Sequence, residues 1–138
     1  MDYAINNHIS YFETATFYLD NKCEEFVFNL LSPYARNSYE YSGKLALKTT
    51  QLSDVEFYKN EYLKSLEAAP GRYFDTYLFQ SLTPATLYFL KKNKEEIKSF
   101  FFKELGIGRI KKMGVCLQCS FDILEEFFKE YKDIISIV

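Results

Sequence analysis

Cys116 and Cys119 stand three positions apart in the stretch GVCLQCS, residues 114 to 120. A Cys-x-x-Cys pair can serve thiol–disulfide exchange, or supply two of the four ligands of a structural zinc. Exchange needs a strand before the pair and a helix after it, whose N-terminus lowers the first thiol's pKa. A helix is predicted to follow, but no strand–helix–strand unit is predicted around the pair. Zinc would have to recruit Cys23 and His8 to complete a Cys₃His set, and the second closely spaced ligand pair is missing. Both thiols are therefore predicted to pack as small apolar residues, like Cys23 on its apolar helix face. A thiol-based redox or metal protein using Cys116 and Cys119 stands as a second alternative.

Other chemistry is thin. His8 is the only histidine, which removes the Ser-His-Asp arrangement and any two-histidine metal site. Carboxylate doublets at Glu24-Glu25, Glu95-Glu96 and Glu125-Glu126 project about 100° apart on a helix, so no doublet makes a shared cleft by itself. Gly106-Ile107-Gly108 ends a helix and does not match a phosphate-binding loop. The expectation is a chain that is not an enzyme and holds neither cofactor nor metal.

Charge is more informative by segment than in total. The net charge is −2, yet residues 1–30 carry −4, residues 91–112 carry +5 and residues 113–138 carry −3. Lys91, Lys92, Lys94, Lys98, Arg109, Lys111 and Lys112, interleaved with Tyr88 and Phe100 to Phe102, form an alternative basic site for nucleic acid. A net acidic chain, in which lysine and not arginine fills most of that segment's eight basic positions, argues against such a partner. The acidic residues Glu24, Glu25, Glu125, Glu126 and Glu130, with Tyr39 and Tyr41, suggest instead a surface for a basic protein partner.

The elements that must position these residues are predicted to be helices. Ile9, Phe12, Thr16 and Leu19 keep helical spacing, as do Cys23, Phe26, Val27, Leu30 and Leu31, capped by Asn21 and stopped at Ser32-Pro33. Ser53 and Glu56 form a capping box for a helix through Val55, Tyr58, Tyr62, Leu66 and Ala69. A short helix is expected over 72–81, and another from Thr83-Pro84 to Gly106 with a break near Asn93. Phe121, Leu124, Phe128, Tyr131, Ile135 and Val138 predict a closing helix with Ser120 as cap. Residues 34–48 are ambiguous. Residues 107–118 are expected to be irregular or briefly extended, because a lone strand would have no partner.

With 138 residues, 48% hydrophobic and 26% charged, the chain has the length and composition of one globular domain, 1–138. Twelve Tyr and 14 Phe exceed what a core of this size easily satisfies, so several rings are expected at a binding surface. No signal peptide or membrane-spanning run is read, and three cysteines suit a cytoplasmic location. The predicted fold is an all-α bundle of six or seven helices. The predicted function is an inhibitor of the immunity-protein kind, neutralising a bacterial toxin by occlusion, with a nucleic-acid-associated regulator as the alternative.

Overall fold

The computed structural model describes the whole chain apart from Asn21, Ser53, Leu117, Gln118 and the side chain of Gln51. The expected caps Asn21 and Ser53 thus lie outside the described residues. The chain alternates strands and helices: α1 (Asp2–Asn6), β1 (Tyr11–Glu13), α2 (Cys23–Leu31), β2 (Glu40–Ala46), α3 (Val55–Ala68), β3 (Phe74–Gln80), α4 (Pro84–Lys92), α5 (Lys94–Gly106), β4 (Ile110–Val115), α6 (Phe121–Tyr131) and β5 (Ile135–Ile137). All strand pairings are parallel and follow chain order, β1-β2-β3-β4-β5. Parallel strands in sequential order, each returned by a helix, are how the wall of a (β/α) barrel is built; a doubly wound sheet reverses order at its middle.

This overturns the expected all-α bundle. Helices do form over 23–31, 55–68, 84–92 and 94–106, with the break at Asn93. The error lies in the strands. Every residue of Phe74–Gln80 is buried, and a strand covered on both faces shows a continuous run without the alternation that identifies strands. β2 hides its period in the same way, burying Ser42 and Lys44 along with Tyr41 and Leu45. Once those two are missed, Ile110–Val115 looks partnerless, although β3 pairs with it from Phe74↔Ile110 to Phe79↔Val115. The expected first helix through Ile9 and Leu19 is instead β1 and a turn, and the closing helix stops at Tyr131 before β5.

One face of the sheet carries an aromatic layer. Phe79 lies at its centre, with ring centroids 5.3 Å from Phe101 of α5 and 6.1 Å and 5.8 Å from Phe127 and Tyr131 of α6. Tyr77 beside it meets Tyr62 of α3 edge-on at 5.1 Å. Each such side chain contributes roughly 1.5–3 kcal/mol by leaving water. The layer explains the Phe and Tyr excess: Tyr41, Tyr62, Tyr77 and Tyr131 are fully buried and do not form a binding surface. Tyr62 and Tyr131 satisfy their hydroxyls on Glu104 Oε2 and Leu90 O, both at 2.9 Å. Gly43 is required here, because a Cβ would come within 2.6 Å of Phe74 Cε1 and 2.9 Å of Tyr77 Cε2.

Strand alternation turns Glu13, Ser42, Lys44, Leu78, Gln80 and Gly114 to the opposite face, as the pairs Glu13↔Ser42, Lys44↔Leu78, Ala46↔Gln80 and Leu78↔Gly114 require. At the N-terminal ends of β2, β3 and β4 the strands are pinned by Asp75. Its carboxylate accepts from Arg36 and Lys111, each at 2.6 Å, and from the Tyr41 backbone N–H at 2.9 Å.

Candidate active site

Parallel (β/α) walls present their chemistry at the C-terminal ends of the strands, and four polar side chains converge there. Glu13 closes β1, Tyr18 sits in the turn that follows it, Lys44 comes from β2 and Gln80 closes β3. Lys44 Nζ lies 2.5 Å from Glu13 Oε1 and donates to Tyr18 Oη at 3.3 Å. Gln80 Nε2 donates to the same Tyr18 oxygen at 3.4 Å. Lys44 is 4% exposed and Gln80 5%, while Glu13 and Tyr18 reach solvent. The cluster is therefore backed by protein and open on one side.

Burial alone would lower the Lys44 pKa, but the hydrogen bonds to Glu13 and Tyr18, with the Glu13 charge, overcome it and hold the ammonium above its ordinary range. Lys44 is a fixed cation, unsuited to attack as an amine. Its position decides what Tyr18 can do. A phenol oxygen has two acceptor sites and one proton. Lys44 and Gln80 occupy the acceptor sites, so the proton is left for an incoming oxygen. If that proton is given away, the phenolate formed already faces an ammonium and an amide N–H. Such an arrangement is what a preorganised general acid requires. Gln80 Oε1 and Ser42 Oγ are buried on this face and have no hydrogen-bond partner among the described residues.

Backbone strain clusters at the same place. Leu19 and Asp20, directly after Tyr18, hold φ of 51° and 54°, and Ser81, directly after Gln80, holds 67°. Left-handed conformations in non-glycine residues cost free energy and persist where the surroundings impose them.

The sequence-derived sites are dispersed. Glu24 is buried between α2 and α3, where it accepts from the Ser65 hydroxyl. Burial raises its pKa above the ordinary carboxylate range. Tyr39 and Tyr41 are buried, the latter bonded by Thr14 Oγ1 at 3.0 Å. Glu25 is exposed on α2, remote in role from the α6 acids. Glu125 pairs with Lys129 at 3.8 Å along α6. The basic and acidic segments neutralise each other: Lys91 pairs with Glu126 at 3.2 Å, Lys94 with Glu130 at 2.9 Å and Lys98 with Asp133 at 2.6 Å. Arg109 turns to Glu104 at 3.4 Å and Lys111 to Asp75. Lys92 and Lys112 are exposed. Among the described residues neither an open acidic face nor a continuous basic one results, which removes the ground for the toxin inhibitor and for the nucleic-acid regulator. Cys23, Cys116 and Cys119 are free thiols. Among the described residues no three His, Cys, Asp or Glu side chains gather as a metal site, and no helix is long and apolar enough to cross a membrane.

Tyr18, Lys44, Glu13 and Gln80 were all missed by sequence reasoning, which sought acid–base chemistry in histidine and carboxylates. A signal existed in Lys44, a lone lysine inside the otherwise small and apolar run Ser42–Leu47.

No family model matches the sequence, and no curated protein matches it. Solved structures do share the fold. An aldo-keto reductase from Klebsiella pneumoniae in complex with NADPH superimposes with a TM-score of 0.60 at 17% identity, over 97% of this chain and 44% of that one. An aldo/keto reductase from the same organism with NADP and acetate gives 0.54 at 18%, over 89% and 40%. A thermostable aldo-keto reductase bound to the inhibitor epalrestat gives 0.60 at 22%, over 93% and 43%. The chain thus spans less than half the length of the reductases it resembles. Expectations of an immunity protein and of a chain that is not an enzyme are corrected together: the helical bundle they assumed is absent, and the solved structures that share this parallel α/β fold are aldo-keto reductases.

Proposed function

We propose that the chain is the proton-donating part of a nicotinamide-dependent carbonyl reductase acting on aldehydes or ketones. The observation that carries this reading is the convergence of Lys44 and Gln80 on Tyr18 Oη. The likeness to reductases holding NADP and NADPH supports it. A carbonyl oxygen entering from the open side accepts the Tyr18 proton. As charge builds on that oxygen, the Tyr18 hydrogen bond shortens and the proton crosses. The phenolate left behind is held by the Lys44 ammonium and the Gln80 amide, and Glu13 keeps Lys44 aimed at the phenol. Water or buffer returns a proton to Tyr18 between turnovers.

A reduced nicotinamide, when bound, supplies the hydride to the carbonyl carbon. The donor set fits that partner reaction, because it offers a proton at one point and no competing nucleophile: Lys44 is locked as a cation. Gln80 Oε1, without a partner among the described residues, is an acceptor suited to an amide or hydroxyl of a bound molecule. The reading includes a cytoplasmic location, supported by three cysteines that are all free thiols.

The test is NADPH consumption with a panel of aldehydes and ketones. The expected result is carbonyl-dependent turnover that falls about 10²–10⁴-fold in Tyr18→Phe. Turnover that survives Tyr18→Phe at the parent rate, or no turnover with any carbonyl, overturns the proposal.

A further inference from the structure

Gln80 uses only one end of its amide. Nε2 donates to Tyr18 Oη at 3.4 Å, while Oε1 is buried with no hydrogen-bond partner among the described residues. The residue is 5% exposed, and the sheet fixes its backbone: Gln80 pairs with Ala46, and its carbonyl accepts from the Leu47 N–H at 3.1 Å. The cation of the cluster is committed elsewhere, Lys44 to Glu13 and Tyr18. Turning the amide over would aim Oε1 at the phenol and consume the proton that the site must give. A buried acceptor without a donor carries a free-energy cost, which a donor arriving on a ligand removes.

Nε2 and Oε1 share one carbon, so Oε1 lies beside the point at which a carbonyl oxygen meets the Tyr18 proton. A donor on the carbon next to the carbonyl spans that gap. We propose that Gln80 determines the specificity of the Tyr18 site and selects α-hydroxy aldehydes and α-hydroxy ketones. The carbonyl oxygen accepts from the Tyr18 hydroxyl while the α-hydroxyl donates to Gln80 Oε1. The proposal rests on the reading of Tyr18 as a donor to carbonyl oxygens. A plain ketone of the same size leaves Oε1 without its donor. An α-alkoxy ketone does worse, because its ether oxygen faces Oε1, acceptor against acceptor. A site whose buried polar group is left unpaired rejects such analogues far more strongly than an apolar pocket rejects a change of one methylene. Gln80 exchanges no proton with the substrate; its two ends hold the phenol and the hydroxyl in one plane of approach.

The test is an NMR titration of the isotope-labelled chain, without NADPH, following the assigned side-chain amide signal of Gln80. The probes are hydroxyacetone, butanone, which has the same size and no hydroxyl, and methoxyacetone, which keeps the oxygen and lacks the donor. Hydroxyacetone is expected to shift the Gln80 signal and to bind at least about tenfold more tightly than either analogue. In Gln80→Met the three dissociation constants should converge to within about twofold. Equal affinities in the parent chain, tighter binding of methoxyacetone, or a Gln80 signal that does not move overturns the proposal. The comparison of the three ketones in the parent chain needs no variant to fold. Hydroxyl-selective binding without NADPH turnover of any carbonyl sinks the reductase reading alone, and turnover indifferent to the hydroxyl sinks the specificity of Gln80 alone.

Discussion

The Lys44 ammonium lies 3.3 Å from the Tyr18 hydroxyl while its other contact, Glu13, stands at 2.5 Å. A buried cation thus has one ligand that fixes it and one that it serves. The arrangement needs three separate pieces of chain: the end of β1 for Glu13, the turn after it for Tyr18, and β2 for Lys44. It exists only because β1 and β2 pair in parallel with Glu13 opposite Ser42.

Asp75 does for the opposite end of the sheet what Lys44 does for the site. Its carboxylate is 7% exposed. Burial would raise its pKa, but hydrogen bonds from Lys111, the Tyr41 N–H and Arg36, with the Arg36 charge, hold it below the ordinary carboxylate range. A folded-state pKa below the unfolded value gives stability that is present above about pH 4 and is lost as pH falls through the folded value. Asp75→Asn should cost about 2 kcal/mol at neutral pH, with Lys111 partly solvated and contributing the lesser share. Urea unfolding at pH 7 and pH 3 checks this: the gap between variant and parent should narrow at the lower pH.

Glu24 has the opposite sign. Its pKa is raised by burial, so the stability it allows is full below about pH 4 and declines as pH rises through the folded-state value. Glu24→Gln keeps a partner for Ser65 and removes the charge. The variant should match the parent at pH 4 and exceed it by about 1 kcal/mol at pH 8. Equal stabilities at pH 8 would show that Glu24 ionises there without penalty.

Gly43→Ala places a methyl against Phe74 and Tyr77, at separations of 2.6 Å and 2.9 Å before relaxation. Overpacking of this kind should cost about 1–3 kcal/mol, read as a lowered melting temperature. Gly106→Ala, with nothing within 4 Å of the added carbon, should not lower it. A neutral Gly43→Ala would mean that the aromatic layer is looser than the ring geometry indicates.

The helical half of this fold is legible in the sequence because amphipathic helices expose one side and so display their period. Leu31, Tyr58, Tyr62 and Leu66 face the core from such helices. The strands are illegible for the converse reason. β3 is covered on both faces, so polar Asp75, Thr76 and Gln80 are buried beside Phe74 and Phe79, and its pattern resembles neither an exposed strand nor a helix. The site was hidden by long-range pairing: Tyr18 and Gln80 are 62 residues apart, and neither is a conventional acid–base residue. The charge boundary between residues 91–112 and the closing helix was visible, but its meaning was internal, Lys91 to Glu126 and Lys94 to Glu130.

The most direct test of the Lys44–Tyr18 relationship is a double-variant cycle on kcat for carbonyl reduction, using Tyr18→Phe, Lys44→Met and both together. If Lys44 acts through the Tyr18 oxygen, each single variant loses about 10²-fold or more and the double variant is scarcely worse than Tyr18→Phe alone. Losses that multiply, so that Lys44→Met removes the same factor whether or not the phenol hydroxyl is present, would contradict the account.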